Sequence, residues 1–272
     1  ASPQWSRGKP GVVAEESEQF EVSYTYNDLD SVQQAIRSLD GDVAAIFVGG
    51  CSYPYSAPTE EPTKEFAQGL RQLADQHGAL LVLDEIRTNC RVGGNLRGHW
   101  QELDSQGGPD LHCLCKAIAN GHPLAALLGN DRARLGAAKM FASGTYWLSA
   151  PPMAAALATL DALEADSCKA LLHMQEMGRK LIFGLEEMGQ KHGLKLTMSG
   201  PPAMPLLTFD DEQPLHRPQG ERWCTLMAEA GIWLHPHHNW YITASHSSED
   251  IDRTLQAADR AFAVLASQEG RK

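Results

Sequence analysis

Two residues near the middle of the chain, Asp84 and Lys116, carry side chains that could cooperate in chemistry at a carbonyl group. Asp84 directly follows the apolar run at residues 79–83, and Lys116 closes the short run at residues 111–115. A lysine amine can hold a carbonyl compound as an imine and then carry a proton, while a carboxylate can keep an aromatic ring nitrogen protonated. An ordinary ion pair is the alternative interpretation of the same two side chains.

The elements that would position Asp84 and Lys116 follow a parallel strand-helix-strand pattern. Apolar runs at residues 43–48 and 79–83 predict two strands buried on both faces, and residues 63–77 predict a helix between them. Because ligands bind outside the carboxyl ends of parallel strands, both side chains are expected to face one crevice. The pattern therefore predicts an α/β fold in which the pair could serve pyridoxal-phosphate chemistry. Three further elements of this region are predicted at residues 27–39 (helix), 111–115 (strand) and 124–128 (strand).

The composition changes near residue 166, after a helix predicted to begin at the two prolines of residues 151–152. We therefore expect two domains, residues 1–165 and residues 166–272, of which the second is a smaller α+β domain. The elements predicted in the second domain are helices at residues 168–189, 221–230 and from 248 onwards, and strands at residues 194–198, 205–209, 232–234 and 241–243.

Charge and composition exclude several classes of protein. The 272-residue chain has a formal net charge of −11 and no lysine- or arginine-rich run, which argues against nucleic acid and anionic membrane surfaces as partners. No apolar run approaches the ~20 residues that a membrane-spanning helix needs. The six cysteines are scattered without zinc-type spacing, which predicts reduced thiols, a cytoplasmic protein and no metal site.

Several motifs in order along the chain resemble those of the class III pyridoxal-phosphate-dependent aminotransferases. Residues 80–92, LLVLDEIRTNCRV, are similar to the family's strand-Asp-Glu-Val-x-Thr-Gly-x-Arg motif. Residues 109–124, PDLHCLCKAIANGHPL, are similar to its Pro-Asp-Leu…Lys…Gly-x-Pro segment. Residues 26–29 and 244–251 resemble in particular the glutamate-1-semialdehyde aminomutases within this family. The order and spacing of the motifs together identify the chain as a member.

This resemblance implies a fold, a cofactor and a set of site residues. The fold would be the large domain of a fold-type I pyridoxal-phosphate transferase, incomplete here, followed by the small domain. Lys116 would form the Schiff base with pyridoxal 5'-phosphate, Asp84 would pair with its ring nitrogen, and Ile86 would pack on the ring. Gly144 and Thr145 would bind the cofactor phosphate of a partner subunit. The resemblance thus implies a homodimer with shared active sites that acts on small-molecule amino donors and acceptors.

Five other residues are candidates for contact with substrate. The segment around His237, His238 and Asn239 would lie where the small domain's loop reaches the active site, although a polar turn is an equal alternative. Arg87 could bind a substrate carboxylate, and a surface ion pair is its alternative. Tyr53 would line the mouth of the pocket or anchor its loop. Three histidines within four residues could also bind a metal, but no carboxylate or cysteine ligand stands nearby in the sequence.

Departures from the family pattern leave the reaction open. Gly49-Gly50 stands where the family usually has Glu-Pro, Pro54 where it has asparagine, and Asn89-Cys90 where it has Gly-Phe. The family's N-terminal phosphate-binding region is also not found, so we expect this chain to be the C-terminal part of such a protein. A non-catalytic or truncated relative, and a pyridoxal-phosphate enzyme of another reaction type such as a racemase, therefore stay open as alternatives.

Overall fold

The computed structural model describes residues 20–54, 57–96, 100, 107–213 and 216–269. Within it the chain forms two compact units. The first unit contains the chain up to Ser52 and the segment Pro62–Glu164, and the second contains Tyr53–Glu61 and the chain from Ala165 onwards. Among the described residues, no helix has both the length and the apolarity needed to cross a bilayer.

A four-stranded sheet forms the centre of the first unit. Its strands are β1 (Ala45–Gly49), β2 (Leu80–Asp84), β3 (Leu111–Leu114) and β4 (Ala126–Gly129), in that spatial order. The first three strands are parallel, and β4 runs antiparallel to β3. The predicted mostly parallel α/β sheet is therefore confirmed, and its parallel register places the carboxyl ends of β1, β2 and β3 along one edge.

Two amphipathic helices cover one face of this sheet. Helix α1 (Leu29–Ser38) is capped by Asp28, and α2 (Lys64–Gln76) is capped by Thr63, whose hydroxyl accepts the Phe66 N–H at 3.1 Å. Alternate residues of β1 and β2 point toward these helices, since side chains alternate between the faces of a strand. The resulting core contains Val32, Ile36, Ile46, Val48, Phe66, Leu70, Leu81, Leu83 and Trp100.

The chain after β3 contains two short helices that the sequence did not predict. A 3₁₀ helix (Lys116–Ala119) follows β3, and α3 (Asp131–Lys139) follows β4. Helix α4 (Ala150–Lys191) begins at the predicted prolines. Its backbone leaves the helical conformation at Ala165–Cys168, so it consists of two helical segments, residues 150–164 and 169–191.

The second unit contains a small antiparallel sheet and two helices after α4. Strands β5 (Leu196–Ser199) and β6 (Leu206–Phe209) pair with each other. Helix α5 (Pro218–Glu229) and helix α6 (Ser248–Glu269) pack against each other through a stacked pair of rings, Trp223 and Phe262. Helix α6 begins with a capping box: the Ser247 N–H donates to Asp250, and the Asp250 N–H donates to the Ser247 hydroxyl.

The strands predicted at residues 232–234 and 241–243 were wrong. The chain there is irregular, although the Trp240 and Ile242 N–H groups donate to the carbonyls of Pro205 and Ala203. In an antiparallel pair, each hydrogen-bonded residue both donates and accepts. Pro205 has no N–H group to return to Trp240, so the ladder cannot be completed at that pair.

Candidate functional site

Asp84 is the last residue of β2 and lies in register between Gly49 of β1 and Cys113 of β3. Its side chain is half-buried, and its Oδ1 accepts the Ile86 N–H at 3.0 Å. Burial raises the pKa of the Cys113 thiol, and the negative charge of Asp84 raises it further. Asp84 therefore places a carboxylate at the carboxyl edge of the sheet, held by the turn that follows it.

Lys116 lies two residues beyond the end of β3 on the same edge of the sheet. The backbone is extended at Cys115 and then turns sharply, because Lys116 has a φ of +52° and begins the 3₁₀ helix. This left-handed conformation is uncommon for a residue with a Cβ atom. The Lys116 side chain is exposed, and its amine has no hydrogen bond or ion pair within the described part of the chain. The structure thus brings the amine and the Asp84 carboxylate to adjacent strand ends.

The turn after Asp84 contains a buried acid that the sequence did not single out. Glu85 continues the parallel ladder, since its N–H donates to the Cys113 carbonyl at 3.0 Å. Its carboxylate lies 2.5 Å from Nε2 of His112, and both side chains are largely withdrawn from solvent. Because the residue at 112 stands in a strand interior, a histidine there was the sequence signal that could have revealed this pair.

The structure explains the glycine at position 50, one of the departures from the family pattern. A Cβ atom built on Gly50 would overlap Oγ1 of Thr88, which is a buried residue of the turn after Asp84. The Gly50 N–H also donates to the Asp84 carbonyl at 3.0 Å. The loop after β1 therefore approaches the Asp84 turn so closely that a side chain at position 50 would require Thr88 to shift.

The other predicted cofactor contacts lie on two different segments of the first unit. Ile86 and Arg87 are half-buried in the turn after Asp84. Gly144 and Thr145 are exposed in a turn before α4, where the Trp147 indole occupies the space that a Cβ atom on Gly144 would need. Among the described residues of this unit, no hydrogen bond joins the Thr145 turn to Lys116.

The predicted substrate contacts His237, His238 and Asn239 belong to the second unit. His237 Nε2 lies 3.0 Å from the Glu221 carboxylate, and His238 donates from Nδ1 to the Asn239 carbonyl. Asn239 is buried and donates to the Trp240 carbonyl at 3.0 Å. A cavity of about 560 Å³ opens beside this segment, and His238 and Asn239 line it. These contacts stabilise the turn. The cavity beside it is open to a small-molecule ligand.

Tyr53 is the last of the predicted site residues. It is half-buried and belongs to the second unit. Across the described residues, no group of three histidine, cysteine, aspartate or glutamate side chains is arranged to hold a metal ion.

Comparison with known proteins identifies a family to which the chain is similar. The aminotransferase class-III family matches residues 12–261. The chain is 37% identical to the aminopentol aminotransferase of Sphingopyxis macrogoltabida over 97% of its own length and 61% of that protein's. It is 29% identical to glutamate-1-semialdehyde 2,1-aminomutase 1 of Staphylococcus carnosus (strain TM300), covering 95% of this chain and 61% of the relative.

A solved structure extends the comparison to three dimensions. The chain superposes with a TM-score of 0.89 and 35% identity on the pyridoxal-phosphate internal aldimine form of the FumI protein from Sphingopyxis sp. MTA144. That match covers 99% of this chain and 63% of the other, so the chain spans about three fifths of the length of the relatives it matches. The chain belongs to the class III aminotransferases, a family whose cofactor is pyridoxal phosphate.

Proposed function

We propose that the chain is the part of a pyridoxal-phosphate-dependent aminotransferase that supplies the cofactor-binding lysine and its partner carboxylate. The observation that carries the proposal is the position of Asp84 and Lys116 at the carboxyl ends of adjacent parallel strands. The first unit would be the C-terminal part of the cofactor-binding large domain. The second unit would be the small domain.

The residues present fit the cofactor at these two positions. The Ile86 N–H occupies one oxygen of Asp84 and so orients the carboxylate, and the half-buried side chain keeps a surface for a partner. The Lys116 amine has no competing ion pair among the described residues, so it is available to a carbonyl group. Bound at this edge, pyridoxal phosphate would supply an electron sink for the substrate's α-carbon.

Each residue would then have a defined task. Lys116 would hold the cofactor and afterwards carry a proton on Nζ to and from the substrate carbon. The Asp84 carboxylate would accept a hydrogen bond from the cofactor's ring nitrogen and keep that nitrogen protonated. Ile86 would cover one face of the ring with an apolar side chain. Gly144 and Thr145 would offer a backbone N–H and a hydroxyl to a phosphate.

The substrates are proposed to be small-molecule amines and carbonyl compounds. The similarity to an aminopentol aminotransferase supports a hydroxylated amine as the first donor to test. His237, His238, Asn239, Arg87 and Tyr53 remain candidates for contact with the substrate. The aminomutase relative supports amino transfer within one molecule as a second activity to test. An amine that converts without a separate acceptor would favour that second activity.

Replacing Asp84 tests the proposal at the residue that should tune the cofactor. In the cofactor-loaded protein, Asp84→Ala is expected to lower kcat for amino transfer by about 10²-fold or more, as is typical for loss of one preorganised electrostatic partner. The measurement is the rate of transfer from an aminopentol to pyruvate. Asp131→Ala, an exposed carboxylate at the start of α3, is the control and should leave the rate unchanged. Equal rates in both variants would count against the assigned role of Asp84.

The homodimer is supported by an exposed apolar turn that carries Thr145. Phe141, Tyr146, Trp147 and Leu148 are all exposed there, at 94%, 84%, 61% and 87%. A cluster of exposed apolar side chains close together in the sequence is typical of an interaction site. A second copy of the chain at this turn would bring Thr145 to the partner's active site.

The dimer is expected to weaken when charge enters the turn. In size-exclusion chromatography with light scattering, Tyr146→Asp combined with Leu148→Asp should shift the protein from dimer to monomer. Phe183→Asp alters an exposed apolar residue of the second unit and is the control, expected to leave the dimer intact. An unchanged mass in the double variant would refute this interface.

The location is proposed to be the cytoplasm. Among the described residues the cysteines form no disulfide, as expected for a protein kept in a reducing compartment.

A further inference from the structure

Asn89 connects the turn after Asp84 to the peptide bond that precedes Lys116. Its side-chain nitrogen Nδ2 donates to the carbonyl of Glu85 at 2.5 Å and to the carbonyl of Cys115 at 3.0 Å. The two acceptors belong to different segments, one following β2 and the other following β3. A single side chain therefore joins the two strand ends that present Asp84 and Lys116.

The orientation of this amide is fixed by its surroundings. Asn89 is only 6% exposed, and both hydrogens of Nδ2 point at carbonyl oxygens. Rotating the amide by half a turn would place its own oxygen against two carbonyls, which cannot donate. Its Oδ1 is buried and has no hydrogen-bond partner among the described residues. Since a buried unpaired oxygen is unfavourable, the residue's contribution lies in the two bonds of Nδ2.

The bond to Cys115 replaces a missing step of the β2–β3 ladder. The Glu85 N–H donates to the Cys113 carbonyl, and a regular parallel ladder would next engage the carbonyl of Cys115 from a residue two positions after Glu85. The chain instead turns away after Asp84, because the Asn89 N–H closes a helical turn onto the Glu85 carbonyl at 2.9 Å. The Asn89 side chain then reaches back to the Cys115 carbonyl, which also accepts the Ile118 N–H at 3.3 Å.

The peptide bond held in this way precedes a strained residue. Lys116 has a φ of +52°, a conformation that persists in a residue with a Cβ atom only where its surroundings impose it. The plane of the Cys115–Lys116 peptide determines the direction in which the Lys116 side chain leaves the backbone. Fixing its carbonyl from the Asp84 turn therefore couples the direction of Lys116 to the position of Asp84.

We infer that Asn89 is a positioning residue, whose side-chain amide fixes the Cys115–Lys116 peptide and so aims the Lys116 amine. The inference rests on the role of Lys116 proposed above and adds a residue to it. The family pattern has glycine at this position, and glycine has no side chain with which to make these bonds.

The test compares two variants of neighbouring buried residues in the full chain. Asn89→Asp keeps the size of the side chain but removes the amide donors. Thr88→Val is the matched control, since Thr88 lies in the same turn, is 2% exposed, and has a hydroxyl without a hydrogen-bond partner among the described residues. Both variants are checked first for equal melting temperatures, and Asn89→Ala is used if Asn89→Asp proves less stable.

Two measurements report on Lys116 itself. In the cofactor-loaded protein, Asn89→Asp is expected to lower kcat by about 10- to 100-fold with little change in KM for the amine, as a small displacement of a reacting group does. In the protein without cofactor, the labelling profile of Lys116, which is the extent of its modification by an amine-specific reagent over time, is measured by mass spectrometry. The labelling profile of Lys116 should shift in Asn89→Asp and stay unchanged in Thr88→Val, with Lys139 as the internal reference.

The outcomes separate this inference from the proposed function. If the unaltered protein neither binds the cofactor nor transfers an amine, the proposed function fails, and the labelling profile alone decides whether Asn89 aims Lys116. If the unaltered protein is active and Asn89→Asp matches Thr88→Val in kcat and in labelling, the positioning role is overturned. A fall in kcat together with a shifted labelling profile supports it.

Discussion

Replacing Lys116 with alanine is expected to remove both covalent attachment of pyridoxal phosphate and amino transfer. The unaltered protein mixed with the cofactor should develop an absorbance band at about 410–430 nm, which arises from the lysine-bound cofactor. Lys116→Ala should show no such band, because no other lysine stands at the carboxyl edge of β2 and β3 among the described residues. Loss of the proton carrier alone should lower the transfer rate by about 10²–10⁴-fold.

The attachment can be assigned to one residue directly. Borohydride reduction of the cofactor-loaded protein, followed by digestion and mass spectrometry, should find the cofactor's mass on the peptide that contains Lys116. Lys139→Ala changes a lysine at the end of α3 and should retain the band and the labelled peptide. A band that survives in Lys116→Ala would show that the cofactor is held elsewhere. A band missing from the unaltered chain would favour the non-catalytic or incomplete relative.

The placement of Asp84 and Lys116 at adjacent strand ends could be anticipated because it depends on topology alone. Parallel strands end at one edge of a sheet, and both residues follow apolar runs that are recognisable as buried strands. The two helices that cover the sheet were predicted for a similar reason, since an amphipathic stripe depends on neighbours within the same element. Local patterns and strand order therefore gave the scaffold of the site.

Helix α3 escaped prediction because it lacks an apolar stripe. Its only buried residue is Ala133, and Leu135 is 75% exposed. Hydrophobic periodicity is the main signal of a helix in a sequence, and here the signal is absent. The Asn130 side chain caps the helix by accepting the Arg132 N–H at 3.0 Å, a contact that many loops also make.

The contacts that hold the site together could not be predicted, because they join side chains distant in sequence. The Asn89 amide meets Cys115 only because β2 and β3 are neighbours with a specific register. The pairing of Glu85 with His112 depends on the same register. A sequence indicates which residues end a strand, but it does not give the distance across two strands. The departures from the family pattern at positions 50 and 89 were visible, and their consequences required the structure.

Replacing Asp110 with alanine is expected to cause the largest loss of stability in the first unit. Asp110 is 1% exposed and immediately precedes β3. Its Oδ2 accepts the Leu81 N–H at 2.9 Å and Nη1 of Arg71 at 2.8 Å, and its Oδ1 accepts Nδ2 of Asn130 at 2.9 Å. The variant would leave the buried Arg71 guanidinium without its buried partner. Breaking a buried pair in this way typically costs about 3–5 kcal/mol in the free energy of unfolding.

Denaturant unfolding of the unaltered protein, Asp110→Ala and the double variant Arg71→Met with Asp110→Leu measures this effect. The double variant removes both charges and should recover part of the loss, since apolar replacements of similar size often match a buried ion pair in stability. Asp131→Ala removes an exposed carboxylate and should change the free energy of unfolding little. If Asp110→Ala were no less stable than Asp131→Ala, the network around Asp110 would not be what holds β2 against β3.

The difference in free energy of unfolding between the unaltered protein and Asp110→Ala should fall as the pH is lowered into the acid range. Burial alone would raise the pKa of Asp110, but the hydrogen bonds from Leu81, Asn130 and Arg71 and the charge of Arg71 outweigh it and hold the pKa below its usual value. A carboxyl group whose pKa is lowered by folding contributes stability that is fully present above its unfolded-state pKa of about 3.9. That contribution is lost as the pH falls through the lower, folded-state value. The difference in free energy of unfolding between the unaltered protein and Asp110→Ala should therefore be constant near neutral pH and should shrink in acid. Because Asp110 holds the β2–β3 register opposite Leu81, loss of this contact in acid should also separate the strand ends that carry Asp84 and Lys116.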